Sequence, residues 1–195
     1  ALKFSEGFQY TKNAKLFAIS SRNKNKLQAF KNKFQIDDNF CFTNYDSLLE
    51  CKDLDIVYIA LPNSLHHEWV MKSIEKEKNI LIEKPATVNF LQMKNIKNNL
   101  KNKNIFFSEA FMYRYLPHIT KVVDLLKNKV IGNLVSMDSF FGKDIARKKK
   151  IFGIKLNKKK KPNRNNRLYN KELGGGAILD LGCYPVSFSI LIASL

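Results

Sequence analysis

The stretch "DIVYIALP" (55–62) constrains the fold more than any other part of this chain. Its apolar side chains follow one another without the alternation of a half-exposed strand, and the run stops at a proline. Such a run reads as a strand buried on both faces, inside a parallel sheet covered by helices. The flanking sequence supplies the rest of that architecture. "AKLFAISS" (14–21) reads as a strand and "NKNKLQAFKNKF" (23–34) as an amphipathic helix with Leu27, Phe30 and Phe34 on one face. "FCFT" (40–43) is a short strand, and "DSLLECK" (46–52) a short helix capped by Asp46. After the central strand come a helix at 64–77 with Ser64 at its cap, a strand "NILI" (79–82), a helix at 89–103 and a strand "IFFSEAF" (105–111). Strand and helix alternate with short connections, which predicts right-handed crossovers between parallel strands.

This order predicts a Rossmann-like α/β domain over residues 1–114. A dinucleotide-binding domain of that kind opens with a strand and G-x-G-x-x-G, whose glycines let the backbone approach a pyrophosphate. The only early glycine is Gly7, so the domain reads as incomplete at its N-terminus. Residues 115–195 read as the start of an α+β second domain. They hold a helix at 115–129, a strand at 134–142, a lysine-rich loop, and Gly174-Gly175-Gly176 leading into a helix at 177–192. The apolar run "VSFSILIASL" closes the chain without a cap, so the whole reads as an internal fragment of a longer protein.

The formal charge of +17 invites a nucleic-acid reading. Most of it, +12, falls within residues 141–171, which hold ten Lys and three Arg against one acid. Of the 34 basic residues 29 are Lys, whereas Arg makes the bidentate base and phosphate contacts. The segment "ARKKKIFGIKLNKKKKPNRNNR" (146–167) has no interleaved aromatics apart from Phe152, so a solvated loop is the expectation and a nucleic-acid partner is not. Three cysteines, Cys41, Cys51 and Cys183, are odd in number and form no C-x-x-C, which fits a reducing compartment and a cytoplasmic setting. No uncharged apolar run of about 18 residues suggests a membrane span.

Four motifs occur in order: "ALPNSLHHE", "EKPATVN", "EAFMYR" and "GGGAILDLGCYPV". Together they resemble the Gfo/Idh/MocA family, the glucose–fructose oxidoreductase and inositol dehydrogenase group. Within it the chain is most similar to the dihydrodiol dehydrogenase and D-xylose dehydrogenase branch. The resemblance covers the chain apart from the lysine-rich insert at 147–163. It implies an NAD(P)-dependent oxidoreductase that moves a hydride between nicotinamide and a sugar, polyol or cyclic diol hydroxyl. The alternative is a non-catalytic NADP-binding regulator on the same fold.

The resemblance also implies roles. Lys84 matches the family's catalytic or substrate-orienting lysine, Tyr184 its acid/base, and Asp180 a substrate contact. Physics agrees for Lys84, because ligands of open α/β sheets bind beyond the carboxyl ends of strands. Pro85 also holds Lys84 extended. If 177–192 is helical, Asp180 and Tyr184 share a face, with Pro185 a disturbance to that helix. A Lys84 cation near Tyr184 is expected to favour the phenolate. Leu61, Pro62, Asn63 and His66 match the "P-N-x-x-H" stretch along ribose and nicotinamide, and Glu83 and Arg114 match further cofactor-side positions. Ser21 and Arg22 stand where an NAD-specific protein carries an acid, so NADP is favoured over NAD. His66-His67-Glu68 is not read as a metal site, because consecutive helical residues point apart. The family also implies a homo-oligomer for the full-length protein. Residues 1–195 alone are expected to bind NADP poorly and to show no turnover.

Overall fold

A computed structural model of the chain describes residues 1–143, 150–151, 154–155, 163 and 166–195. Its elements, in order, are α1 (Leu2–Glu6), β1 (Ile19–Ser20), α2 (Lys24–Phe34), β2 (Cys41–Phe42), α3 (Tyr45–Leu49), β3 (Ile56–Ile59), α4 (Asn63–Glu75), β4 (Asn79–Ile82), α5 (Phe90–Leu100), β5 (Phe107–Glu109), α6 (Pro117–Lys127), β6 (Lys150–Ile151), β7 (Ile154–Lys155) and α7 (Cys183–Ala193). The βαβ alternation is as expected from the sequence. Most of the lysine-rich insert, including Phe152, lies outside the described residues. Within it β6 pairs antiparallel with β7.

The strands fall into two parallel groups. β1 pairs with β2, and β3 pairs with β4 in the register Ile56–Asn79 to Ile59–Ile82, with β5 on the far side of β4. The doubly wound order 3-2-1-4-5-6 divides in this way at its central first strand, two strands on one side and three on the other. No residue described here forms that central strand. β1 pairs over only two residues, where the sequence predicted a strand across 14–21.

Two compact units emerge, interleaved along the chain. The first comprises Ala1–Ala60, His67–Ile82 and Met93–Ser108, and the second Leu61–His66, Glu83–Gln92 and Glu109–Leu195. The chain passes from the first unit to the second just beyond β3, just beyond β4 and within β5. The segments that follow the carboxyl ends of these strands therefore belong to the second unit.

The first unit owes its core to the period of its elements. Val57 and Ile59 of β3, and Ile80 and Ile82 of β4, alternate with half-exposed neighbours, while Val70, Ile74 and Ile96 come from helices α4 and α5. Ile80, Ile82, Val70 and Ile96 are fully buried. Replacing one such isoleucine by alanine costs about 2–5 kcal/mol. β3 is less enclosed than its sequence suggested, because Ile56 is 44% exposed at its start. Asn23 caps α2 through its side chain, accepting from the Lys26 amide at 3.0 Å. α3 is capped by Asn44, not Asp46. Asn44 has the extended backbone that a cap requires and accepts from the Ser47 amide, whereas Asp46 lies inside the first turn and pairs with Lys72 at 2.9 Å.

The second unit departs further from expectation. The strand predicted at 134–142 does not form, and these residues run without regular structure. Val135 and Phe140 stand almost fully exposed there, and among the described residues none pairs with this segment in a ladder. The helix predicted from 177 begins as one π turn, Ile178–Gly182, before α7. Among the described residues one helical run, Lys171–Ala193, is long and apolar enough to cross a membrane by length and composition alone. Asp180 and Tyr184 sit within it.

Candidate active site

β4 aims the chain. With Ile80 and Ile82 buried, the strand ends at Glu83-Lys84-Pro85, and the Lys84–Pro85 peptide bond is cis. The Lys84 ammonium donates to the main-chain carbonyl of Asp180 and lies 3.4 Å from its carboxylate Oδ1. The same nitrogen lies 4.8 Å from the centroid of the Tyr184 ring. The pair is sheltered, with the Lys84 side chain 14% and the Asp180 side chain 29% exposed. Three residues spread over 100 positions thus meet within one compact unit.

The π turn makes this meeting possible. In an ordinary α-helix the Pro185 ring would crowd the carbonyl four residues earlier, at Leu181. Instead the Cys183 amide reaches back to the Ile178 carbonyl, widening the turn just before the proline. Asp180 and Tyr184 both face Lys84 through that widened turn. The Tyr184 ring packs against Phe111 at 5.4 Å and Phe141 at 5.1 Å, with Tyr113 beyond at 6.1 Å. The Tyr113 hydroxyl is itself held to the Ser187 hydroxyl at 2.8 Å.

Electrostatics correct one expectation. The phenol of Tyr184 is shifted in the direction opposite to that expected of a Lys84 cation. Burial pushes the phenol above its usual value, and the Cys183 thiol, Glu83 and Asp180 push it the same way.

The "P-N-x-x-H" residues open α4. Asn63 is buried and donates its amide nitrogen to the Gly174 carbonyl at 2.9 Å. Gly174 takes the left-handed conformation (φ +72°), and a Cβ there would stand 2.7 Å from the Asn63 Cβ and 2.8 Å from the Val88 Cγ1. The Pro62 carbonyl accepts from the Leu65 amide at 2.9 Å. His66 is fully buried, its Nδ1 at 2.8 Å from the Pro85 carbonyl and its Nε2 at 2.9 Å from the Leu61 carbonyl. Its neighbour His67 turns elsewhere, to Asn95 at 3.0 Å.

Glu109, at the end of β5, is a residue that sequence reasoning missed. Its Oε1 accepts the Ala86 amide at 2.7 Å. Burial raises its carboxyl above the usual value, against the opposing pull of the Ala86 hydrogen bond, Arg114 and His66. The available signal was a carboxylate ending an apolar strand in "EAFMYR", the pattern of "NILIEKP" repeated one strand later. Arg114 itself is exposed, in the 3₁₀ turn Met112–Tyr115.

Ser21 and Arg22 belong to the other compact unit. The Ser21 amide donates to the Phe42 carbonyl at 3.0 Å and its Oγ accepts from the Asn23 amide at 3.2 Å. Arg22 is exposed, with its guanidinium 5.4 Å from the Tyr45 ring centroid.

The family model described as "Oxidoreductase family, NAD-binding Rossmann fold" (GFO_IDH_MocA) matches residues 3–111. The chain belongs to this family. A trans-1,2-dihydrobenzene-1,2-diol dehydrogenase of Xenopus tropicalis is 31% identical over 175 residues, covering 90% of this chain and 47% of that protein. A "D-xylose 1-dehydrogenase (NADP(+)) 2" of Haloferax volcanii is 29% identical, covering 87% of this chain and 47% of its own length. The chain thus spans about half the length of the curated relatives it matches. Among solved structures, an aldose-aldose oxidoreductase from Caulobacter crescentus complexed with glycerol superimposes with a TM-score of 0.76 at 18% identity, covering 97% of this chain and 53% of that one. That likeness shows the fold. The Gfo/Idh/MocA fold expected from the four motifs is therefore the fold observed.

Proposed function

We propose that this chain carries the catalytic lysine and tyrosine of an NADP-dependent oxidoreductase acting on the hydroxyl carbon of a sugar, polyol or cyclic diol. The meeting of Lys84, Asp180 and Tyr184 carries the reading. A carbonyl oxygen gaining negative charge needs a proton donor and a cation nearby, in a site partly closed to water. Tyr184 is the donor. Its phenol, pushed up by burial, keeps its proton at neutral pH. Lys84 supplies the cation, held in place by Asp180. With its proton in place, Tyr184 can deliver it to a carbonyl oxygen in the reductive direction. Asp180 keeps a carboxylate oxygen for a neighbouring substrate hydroxyl.

The donor set at the end of β1 fits the cofactor. Ser21 and Arg22 offer a hydroxyl and a guanidinium with no carboxylate between them, which suits a ribose 2′-phosphate. When bound, the nicotinamide supplies the hydride. Leu61, Pro62, Asn63, Glu83 and Arg114 are the remaining residues we assign to its side of the site. The relative named for NADP(+) agrees with this choice.

The test uses the full-length protein that contains this chain. With NADPH and a panel of keto sugars and cyclic diketones, Lys84→Ala and Tyr184→Phe should each lower kcat roughly 10²–10⁴-fold while NADPH affinity holds. Turnover by both variants at the wild-type rate, or a wild-type protein that binds no NADPH, would reject the proposal.

A further inference from the structure

The Pro85 carbonyl and the Ala86 amide are the two ends of one peptide group, and each is taken by a side chain from a different element. His66 of α4 meets the oxygen at 2.8 Å, and Glu109 of β5 takes the N–H at 2.7 Å. Neither contact involves Lys84 directly. Both fix the plane of the peptide immediately after the Lys84–Pro85 pair, and with it the direction in which the lysine leaves the chain. The second nitrogen of His66 rests on the Leu61 carbonyl at 2.9 Å, tying the segment that follows β3 to the same point.

We infer that His66 and Glu109 are positioning residues, a clamp on the Pro85–Ala86 peptide that aims Lys84 at Asp180 and Tyr184. His66 on this reading has no free edge for a cofactor. A ring wedged between two carbonyl oxygens must donate to one or both, and its neutral form has a single N–H. His66 is completely buried and Ala86 is 4% exposed, so water is a poor substitute for either partner. Losing one side would leave a buried polar group without its bond, and the peptide would turn to find another. A shift of about 1 Å at a catalytic group costs on the order of 10²-fold in rate.

The inference rests on the proposed role of Lys84, and the experiment separates the two. In the full-length protein, His66→Asn places an amide nitrogen near Nδ1 and keeps the Pro85 contact. His66→Gln places it near Nε2 and keeps only the Leu61 contact. The clamp requires that His66→Gln lower kcat about 10–100-fold with unchanged NADPH affinity, and that His66→Asn do so much less. Glu109→Ala should match His66→Gln, and Glu109→Gln, whose amide oxygen still accepts the Ala86 N–H, should recover most of the loss. Competitive acylation read by mass spectrometry reports on Lys84 without turnover. Labelling of Lys84 should change in His66→Gln and Glu109→Ala and not in their conservative partners. Weakened NADPH binding with unchanged Lys84 labelling would overturn the clamp and make His66 a cofactor contact. If the wild-type protein showed no NADPH binding, the oxidoreductase reading would fail, while the labelling contrast at His66 would still decide the clamp.

Discussion

The Lys84 ammonium lies 4.8 Å from the centroid of the Tyr184 ring, over the ring, and is tethered to Asp180. This arrangement divides labour. The cation contributes to packing and to the field of the site, while the phenol proton stays where burial holds it. An ammonium over an aromatic face is worth about 0.5–2 kcal/mol. Its stabilising effect therefore survives removal of the hydroxyl.

That separation makes Tyr184→Phe a clean test. The ring contacts with Phe111, Phe141 and Lys84 remain, so the thermal midpoint should move by no more than a few degrees. Activity should fall roughly 10²–10⁴-fold. In the wild type the phenol titrates above its ordinary value of 10.0, so the reductive rate should show no loss from this group between pH 7 and 9. A loss near neutrality that disappears in Tyr184→Phe would mean that the phenol is not held up as the structure indicates.

Gly174 tests the turn that seats the second half of the site. Its φ of +72° already disfavours an L side chain, and an added Cβ would press to 2.7 Å on Asn63 and 2.8 Å on Val88. Gly174→Ala should destabilise by about 1–3 kcal/mol and disturb the Asn63 hydrogen bond to its carbonyl. Gly182→Ala is the control, because a Cβ there would find nothing nearer than 3.7 Å. Denaturant midpoints of the two variants should differ in that order. Equal midpoints would show that the turn relaxes freely.

Arg22 tests cofactor choice. A charged hydrogen bond to a phosphate contributes about 1.5–3 kcal/mol, a tenfold to hundredfold effect on affinity. Arg22→Ala in the full-length protein should weaken NADPH binding by that factor and leave NADH unchanged. An equal loss for both cofactors would place Arg22 outside the 2′-phosphate site.

The sequence carried the local elements well and the tertiary corrections poorly, for physical reasons. "NILI" forms a strand over the expected residues because its alternation is decided within four positions. Lys84 was singled out because "EKPATVN" resembles the family's motif, whereas the strand end alone suits a lysine reaching out to water equally well. The cap of α3 was misplaced because both Asn44 and Asp46 can cap, and only the backbone at Asn44 decides between them. The π turn was not legible, although Pro185 announced a disturbance, since the sequence does not say whether the helix kinks or widens. The strand at 134–142 failed for want of a partner, which no local pattern records. Glu109 escaped because its contact is with one backbone amide, 23 residues away.

Glu109 yields the last prediction, a dependence of stability on pH. Burial raises its carboxyl above the ordinary 4.5 in the folded protein. The folded state thus binds this proton more tightly than the unfolded one. The stability contributed by the protonated group is fully present below about pH 4.5 and is lost as pH rises through the folded value. At neutral pH the charged carboxylate is therefore held at a cost. Glu109→Gln removes that cost and keeps the bond to Ala86. The stability of Glu109→Gln relative to wild type should accordingly increase between pH 4 and pH 7, read from denaturant melts of both proteins in parallel. The comparison cancels the other carboxylates, which titrate alike in the two. A relative stability that falls over the same window would mean that the attraction of His66 and Arg114 outweighs burial. Glu109 would then be an ion-pair partner first and a hydrogen-bond acceptor second, and the Ala86 contact alone would not account for its place at the end of β5.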